Sequence, residues 1–343
     1  MCAFRASRGN FIVANPGDRY ASVVNPLRRR SVLTALGAAA AAALAACGIK
    51  GRTKSSTTKP AVTPQRYRYG ADPSQFADLY LPAASVAVRG VVVIIHGGYW
   101  RSTYGADLGE PLAQDLVGRG YACWNLEYRR AGNGGGWPAT FDDVAAGIDQ
   151  LGTAASEHGL DLRSTTALGH SAGGQLAVWA AGRSGLPAGA PGAGVPPVPL
   201  TAVVSQAGVL NLGEARELGL GDGAVENLLG ASDDPERYRL ADPMTAVPLG
   251  VPVHAVHGDG DTTVPLSQST SYVDAATAAG ATAELSVVPG DHFAVVTPGS
   301  EAWDTIVALL GSAADAAHPD SEAAAGPGAK PRSAAHPESA DEG

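Results

Sequence analysis

The string Gly169-His170-Ser171-Ala172-Gly173 stands between a strand-like run at residues 165–168 and a helical pattern at 172–182. Small residues around the serine permit a tight strand-to-helix turn that holds it in a strained backbone with its hydroxyl exposed, the setting of a nucleophile for acyl transfer. A serine hydroxyl is weakly nucleophilic near neutral pH and needs a base. Histidines occur at 96, 158, 170, 254, 257, 292, 318 and 336. On such an elbow the acid follows the serine and the histidine follows the acid, so the base belongs after the last strand. His318 and His336 lie in an aperiodic tail, which leaves His292 in Gly290-Asp291-His292-Phe293. His254 and His257 fall within or at the end of a strand-like run and read as structural.

The acid belongs in the loop His257-Gly258-Asp259-Gly260-Asp261-Thr262-Thr263-Val264-Pro265. Its task is to accept the imidazole N–H, fix the tautomer and stabilise the imidazolium as it forms. Asp259 and Asp261 both fit, and spacing does not choose between them. Asp291 reads as a loop or capping residue. His96-Gly97-Gly98-Tyr99-Trp100 follows the first strong strand-like run, where glycines let backbone N–H groups approach a substrate oxygen, with the N–H of Ala172 as the complementary donor. His96 is expected to brace that loop. Trp100, directly after it, and Trp137, in a Gly-rich loop beyond the next strand, are the expected walls of a substrate pocket.

These residues need a frame, and the pattern supplies one. Apolar strand-like runs at 90–95, 121–126, 165–168, 202–206, 251–257 and 283–288 alternate with helical patterns at 107–119, 141–158, 172–182, 266–279 and 300–310. Continuous apolar strands between helices predict an α/β fold with a mostly parallel, doubly wound sheet covered on both faces. Residues 183–200, rich in Gly, Ala and Pro, form an irregular loop, and 208–246 carry helical fragments that read as a small cap over the sheet's carboxyl edge. Cys123 reads as a buried strand residue.

The 343 residues are 45% hydrophobic and 17% charged, which excludes collagen-like repeats and a wholly disordered chain. Three cysteines exclude a disulfide scaffold. The formal charge is −9, and the first 46 residues hold six Arg against one Asp, so the remainder stands at −14. An acidic body of that kind argues against a nucleic-acid partner. Arg28-Arg29-Arg30, then an apolar segment of about 15 residues ending in Leu44-Ala45-Ala46-Cys47, reads as an export leader too short to span a bilayer stably. Its last four residues resemble the lipobox of bacterial lipoproteins, which implies lipidation of Cys47, a membrane contact through that anchor and a body facing the extracytoplasmic side. The expected organisation is a leader at 1–47, a flexible tether at 48–64, the catalytic body at 65–312 and a disordered tail at 313–343.

Taken together, His-Gly-Gly-Tyr-Trp at 96–100, Asn-Leu-Glu-Tyr-Arg at 125–129 and Gly-His-Ser-Ala-Gly-Gly-Gln-Leu at 169–176 resemble esterase-type α/β-hydrolases. The branch is the feruloyl/acetyl esterase-like and kynurenine formamidase-like one, and Tyr69-Gly70 with Asp78-Leu79-Tyr80-Leu81-Pro82 resembles its opening strands. The resemblance implies a Ser171-His292 pair with Asp261 as the acid, because the branch's H-G-x-x-D-x-x-V-P pattern falls on it. It places the oxyanion donors at Gly98, Tyr99 and Ala172, and makes Glu127 and Arg129 an ion pair or loop brace. The implied activity is cleavage of small-molecule carboxylic esters with short to medium acyl groups, with no metal and no organic cofactor. The alternatives are an arylformamidase or amidase with the same triad, a peptidase of related fold, or a non-catalytic surface binding protein. Oligomeric state is left open.

Overall fold

A computed structural model describes residues 61–230 and 234–318. The leader with Cys47, the tether up to residue 60 and the tail beyond 318 lie outside the described residues. In chain order the elements are β1 (Gln65–Arg68), β2 (Phe76–Tyr80), β3 (Val91–Ile95), α1 (Glu110–Gly118), β4 (Ala122–Glu127), α2 (Ala139–His158), β5 (Thr165–His170) and α3 (Ala172–Ala181). They continue with β6 (Ala202–Gln206), α4 (Leu212–Glu217), α5 (Ala224–Leu229), α6 (Pro235–Ala241), β7 (Val253–Gly258), α7 (Ser267–Ala278), β8 (Ala283–Val288) and α8 (Glu301–Ala317).

The strands form one sheet in the order β1-β2-β4-β3-β5-β6-β7-β8. β1, β2 and β4 pair antiparallel at one edge, and from β4 to β8 every pairing is parallel. All five residues of β3 are buried, as a strand covered on both faces requires. Its side chains alternate between two cores. Val91, Val93 and Ile95 join the core made with α2, α3 and α7, whereas Val92 and Ile94 join the one made with α1 and α8. Each such aliphatic side chain contributes about 1.5–3 kcal/mol of burial. Helix α3, which follows Ser171, is buried from Ala172 to Ala180, as expected of a helix that is apolar all round.

Two expectations are corrected. The body begins before residue 65, because the backbone N–H and C=O of Val62 both bond the Gln114 side-chain amide at 2.8 Å and Val62 packs against the α1/α8 core. It ends after residue 312, because α8 runs to Ala317 and buries Ala314. The insertion after β6 is present as α4, α5 and α6, and its apolar residues join the α2/α3/α7 core.

Candidate active site

Ser171 sits between β5 and α3 with φ 55° and ψ −118°, a left-handed conformation costly for a residue with a Cβ. The turn is over-determined by close packing. A Cβ on Gly173 would lie 2.0 Å from the Ile95 carbonyl oxygen, and one on Gly169 would lie 2.1 Å from that of Gly173. The Ser171 N–H donates to the Gln206 carbonyl on β6 at 2.8 Å, which ties the serine's own peptide to the neighbouring strand.

The loops after β7 and β8 bring Asp261 and His292 together. His292 Nδ1 is 2.7 Å from Asp261 Oδ2, and both side chains are buried. Asp261 Oδ1 accepts the N–H groups of Thr263 (2.8 Å) and Val264 (2.9 Å). His257 adds a partner that sequence reasoning missed. Its Nε2 donates to the Val264 carbonyl at 2.9 Å and lies 3.2 Å from Asp261 Oδ2, while Nδ1 accepts from the Ser269 hydroxyl at 2.8 Å. Burial alone would raise the Asp261 pKa, but the hydrogen bonds from His257, His292 and Val264 outweigh it and hold the carboxyl far below the usual carboxylate range. Asp259 is turned away, accepting the Gly290 N–H at 3.0 Å and so tightening the loop that carries His292. Asp291 caps the following turn through the N–H groups of Phe293 and Ala294.

His170, beside the serine, is a second residue whose place the sequence does not reveal. Its Nε2 donates to the His292 carbonyl at 3.1 Å, and the two rings lie 4.6 Å apart. Burial, and next the neighbouring His292, push its pKa down to about 3, so it stays neutral beside Ser171 and His292.

Opposite the serine, Tyr99 and Trp100 both have φ 53°, two consecutive left-handed residues after Gly97-Gly98. The turn is pinned from behind. The Trp100 indole donates to Gln175 Oε1 at 3.0 Å, and the Arg101 guanidinium donates to the Gly221 carbonyl in the insertion. Gly98 and Tyr99 line the same cleft as Ser171 and His292. Ala172 opens α3, and the first amides of a helix have no intrahelical acceptor. His96 braces this loop, with Nδ1 donating to the Gly97 carbonyl at 2.8 Å and its ring stacked on Tyr128, whose hydroxyl donates to the His96 carbonyl. The expected pairing of Glu127 with Arg129 is corrected. Glu127 pairs with Arg130 and lies 3.3 Å from His96 Nε2, whereas the Arg129 guanidinium makes two bonds to Asp143 on α2, at 2.8 and 2.7 Å.

The cleft over Ser171 encloses about 160 Å³. Its apolar walls include Ile94, Leu108, Leu112, Phe293 and Val296, with Tyr104 and Phe293 partly exposed at the mouth. Trp100 and Trp137 are not its walls. Trp100 is 1% exposed because its indole is spent on Gln175, and Trp137 packs edge-on against Phe141 and lines a separate surface groove with Pro187 and Pro191. The insertion contributes no lining residue, since it packs on the opposite face of the sheet from α1. Cys123 is buried on β4, where burial pushes its thiol pKa far up. Among the described residues no cluster of His, Cys, Asp and Glu could hold a metal ion.

The BD-FAE family matches residues 77–275, which include Ser171 and Asp261. Among curated proteins, the esterase LipQ of Mycobacterium tuberculosis is 29% identical over 60% of this chain and 50% of its own length. The isoprenylcysteine α-carbonyl methylesterase of Arabidopsis thaliana is 28% identical over 65% and 54%. The chain thus spans about half the length of the curated relatives it matches. Among solved structures, esterase B from Lactobacillus rhamnosis superposes with a TM-score of 0.66 at 24% identity, over 77% of this chain and 88% of that one. That likeness, with the sheet order above, establishes the α/β-hydrolase fold.

Proposed function

The chain belongs to the BD-FAE family, and on that premise we propose that it is a serine carboxylesterase working through Ser171, His292 and Asp261. The observation that carries this reading is the meeting of a strained elbow serine and an aspartate-held histidine in one cleft, from loops 90 and 31 residues apart in sequence. Ser171 Oγ attacks the ester carbonyl, and His292 takes its proton through the nitrogen not held by Asp261. The carbonyl oxygen becomes an oxyanion that the amides of Ala172 and of Gly98 or Tyr99 stabilise. His292 then protonates the leaving alcohol, and water hydrolyses the acyl-enzyme by the same proton relay. Apolar walls around about 160 Å³ suit a short to medium acyl group. The proposal extends to location: the lipobox-like end of the N-terminal segment at Cys47 supports a lipid anchor that holds this activity outside the cytoplasm.

The test is hydrolysis of p-nitrophenyl acetate, butyrate and laurate beside N-formylkynurenine by the full-length protein, with Ser171→Ala as control. Turnover that falls with acyl length and drops by about 10⁴- to 10⁶-fold in the variant is the expected result. Preference for the formamide would reassign the enzyme as an arylformamidase. A folded protein that neither turns over these substrates nor reacts with a fluorophosphonate at Ser171 would be a binding protein. The anchor is tested by incorporation of an alkyne-tagged fatty acid, which Cys47→Ala is expected to abolish.

A further inference from the structure

His170 closes β5 immediately before Ser171, with its backbone held in register against Gln206 of β6. Its Nε2 lies 3.1 Å from the carbonyl oxygen of His292, and because a carbonyl only accepts, Nε2 carries the ring proton. This is the one hydrogen bond that the His292 main chain makes among the described residues. The loop's other tethers act on neighbouring residues, as with Asp259 on the Gly290 N–H and Asp291 on those of Phe293 and Ala294. The His292 side chain has one hydrogen bond as well, from Nδ1 to Asp261 at 2.7 Å. On its other side the His170 ring abuts the loop after β3, where a Cβ on Gly97 would lie 3.1 Å from His170 Nδ1 and 3.1 Å from the Ser171 Cβ. The ring is thus wedged between that loop and His292, whose ring centroid is 4.6 Å away.

Resting on the esterase reading above, we propose that His170 is a positioning residue, whose Nε2–H fixes the His292 peptide and so sets where the base stands over Ser171. An imidazole pinned only through Nδ1 can pivot about that bond as its loop moves, which carries the far nitrogen away from the serine. Pinning its peptide as well removes that freedom. Because His170 and Ser171 are consecutive, the nucleophile and the base then share one rigid support. Misplacement of a reacting group by about 1 Å costs about 100-fold in rate. The loss falls on kcat, since the bond holds the base and not the substrate.

The experiment compares kcat and KM for p-nitrophenyl butyrate, and the rate at which a fluorophosphonate labels Ser171, in the full-length protein, His170→Phe and His170→Gln. Phenylalanine keeps a ring between the two loops and loses the donor. The glutamine amide nitrogen stands the same number of bonds from the main chain as Nε2 and donates in its place. His170→Phe is expected to lower kcat about 10- to 100-fold with KM within about twofold, and His170→Gln to recover most of that loss. Labelling rates are expected to follow the same order, and they alone carry the comparison if the ester is not turned over. A native rate in His170→Phe, an equal loss in both variants, or a loss confined to KM overturns the inference. Should His170→Phe fail to fold, His170→Asn, whose amide stops one bond short, takes its place. A proton found on His170 Nδ1 in the nitrogen-15 spectrum of the native protein overturns the inference without any variant. Absence of labelling in a folded native sample sinks the esterase reading itself, whereas a labelled Ser171 without the expected order of rates removes only the role of His170.

Discussion

Asp261 with His292 and Glu127 with His96 are the same pair of side-chain types, both buried and both near the cleft, yet they are wired differently. Glu127 has a permanent counter-charge in Arg130, with further hydrogen bonds from the N–H groups of Ala106 and Tyr128. Burial alone would raise its pKa, but its bond to His96 and the charges of His96 and Arg130 keep it below the usual value. Asp261 pairs with no guanidinium among the described residues: its carboxylate accepts the amides of Thr263 and Val264, and His257 Nε2 lies 3.2 Å from it. In the proposed mechanism its negative charge is therefore left for the imidazolium that forms when His292 takes a proton. A carboxylate already neutralised by a guanidinium stabilises a loop, whereas one held only by dipoles stabilises a charge that appears during the reaction.

The largest expected effect separates the two carboxylates by activity. Asp261→Asn is expected to lower kcat by about 10⁴-fold with the fold intact, because the amide presents the wrong partner to His292 Nδ1. Glu127→Gln, measured per folded molecule, is expected to keep kcat within about tenfold. If the two variants lose equal activity, the distinction drawn above is wrong.

Next in size is the reverse ranking in stability. Glu127→Gln leaves the buried Arg130 guanidinium without its counter-ion and is expected to cost about 3 kcal/mol, read as a lowered urea midpoint. Asp261→Asn, which removes no partner of a permanent charge, is expected to cost less. A midpoint for Glu127→Gln equal to the native one would show that the pair is not the brace proposed.

A smaller effect appears on the acid side. Unfolded His170 protonates near the ordinary histidine value of about 6.5, but folded it does so only near about 3. Between those limits the unfolded chain binds the extra proton, so stability falls as pH falls from about 6.5 towards 3. Asp261 acts in the same direction in a lower window: its contribution is present above about 3.9 and lost as pH falls below it. Denaturation midpoints of His170→Asn are therefore expected to be flatter than those of the native protein between pH 4 and 6, roughly, with the steep loss below about 4 retained. Parallel curves would remove His170 from the acid response.

The smallest effect concerns the tryptophans. Trp137→Ala is expected to leave kcat/KM for short esters within about twofold, since its ring faces a groove away from Ser171. A larger loss would put that residue back on the substrate path.

The alternation of apolar runs and helical patterns was enough to predict the parallel sheet, because a strand buried on both faces must read as a continuous apolar run. The elbow was equally legible, since glycines at 169 and 173 are demanded by backbone approaches near 2 Å that no other residue permits. Strand ends also locate Ser171, Asp261 and His292 at the sheet's carboxyl edge. What a linear pattern cannot hold is which of two neighbours on a turn faces a partner from another loop. Asp261 meets His292 while Asp259, two residues away, is spent on the Gly290 amide. For the same reason Glu127 pairs with Arg130 and leaves Arg129 to α2, and Trp100 is drawn into the core by Gln175. Sequence by itself determined the chemistry available and the edge of the sheet where it is displayed, because strand periodicity and turn sterics are local. The tertiary structure decided the pairing of charges and the walls of the cleft, because those depend on contacts between segments that are distant along the chain.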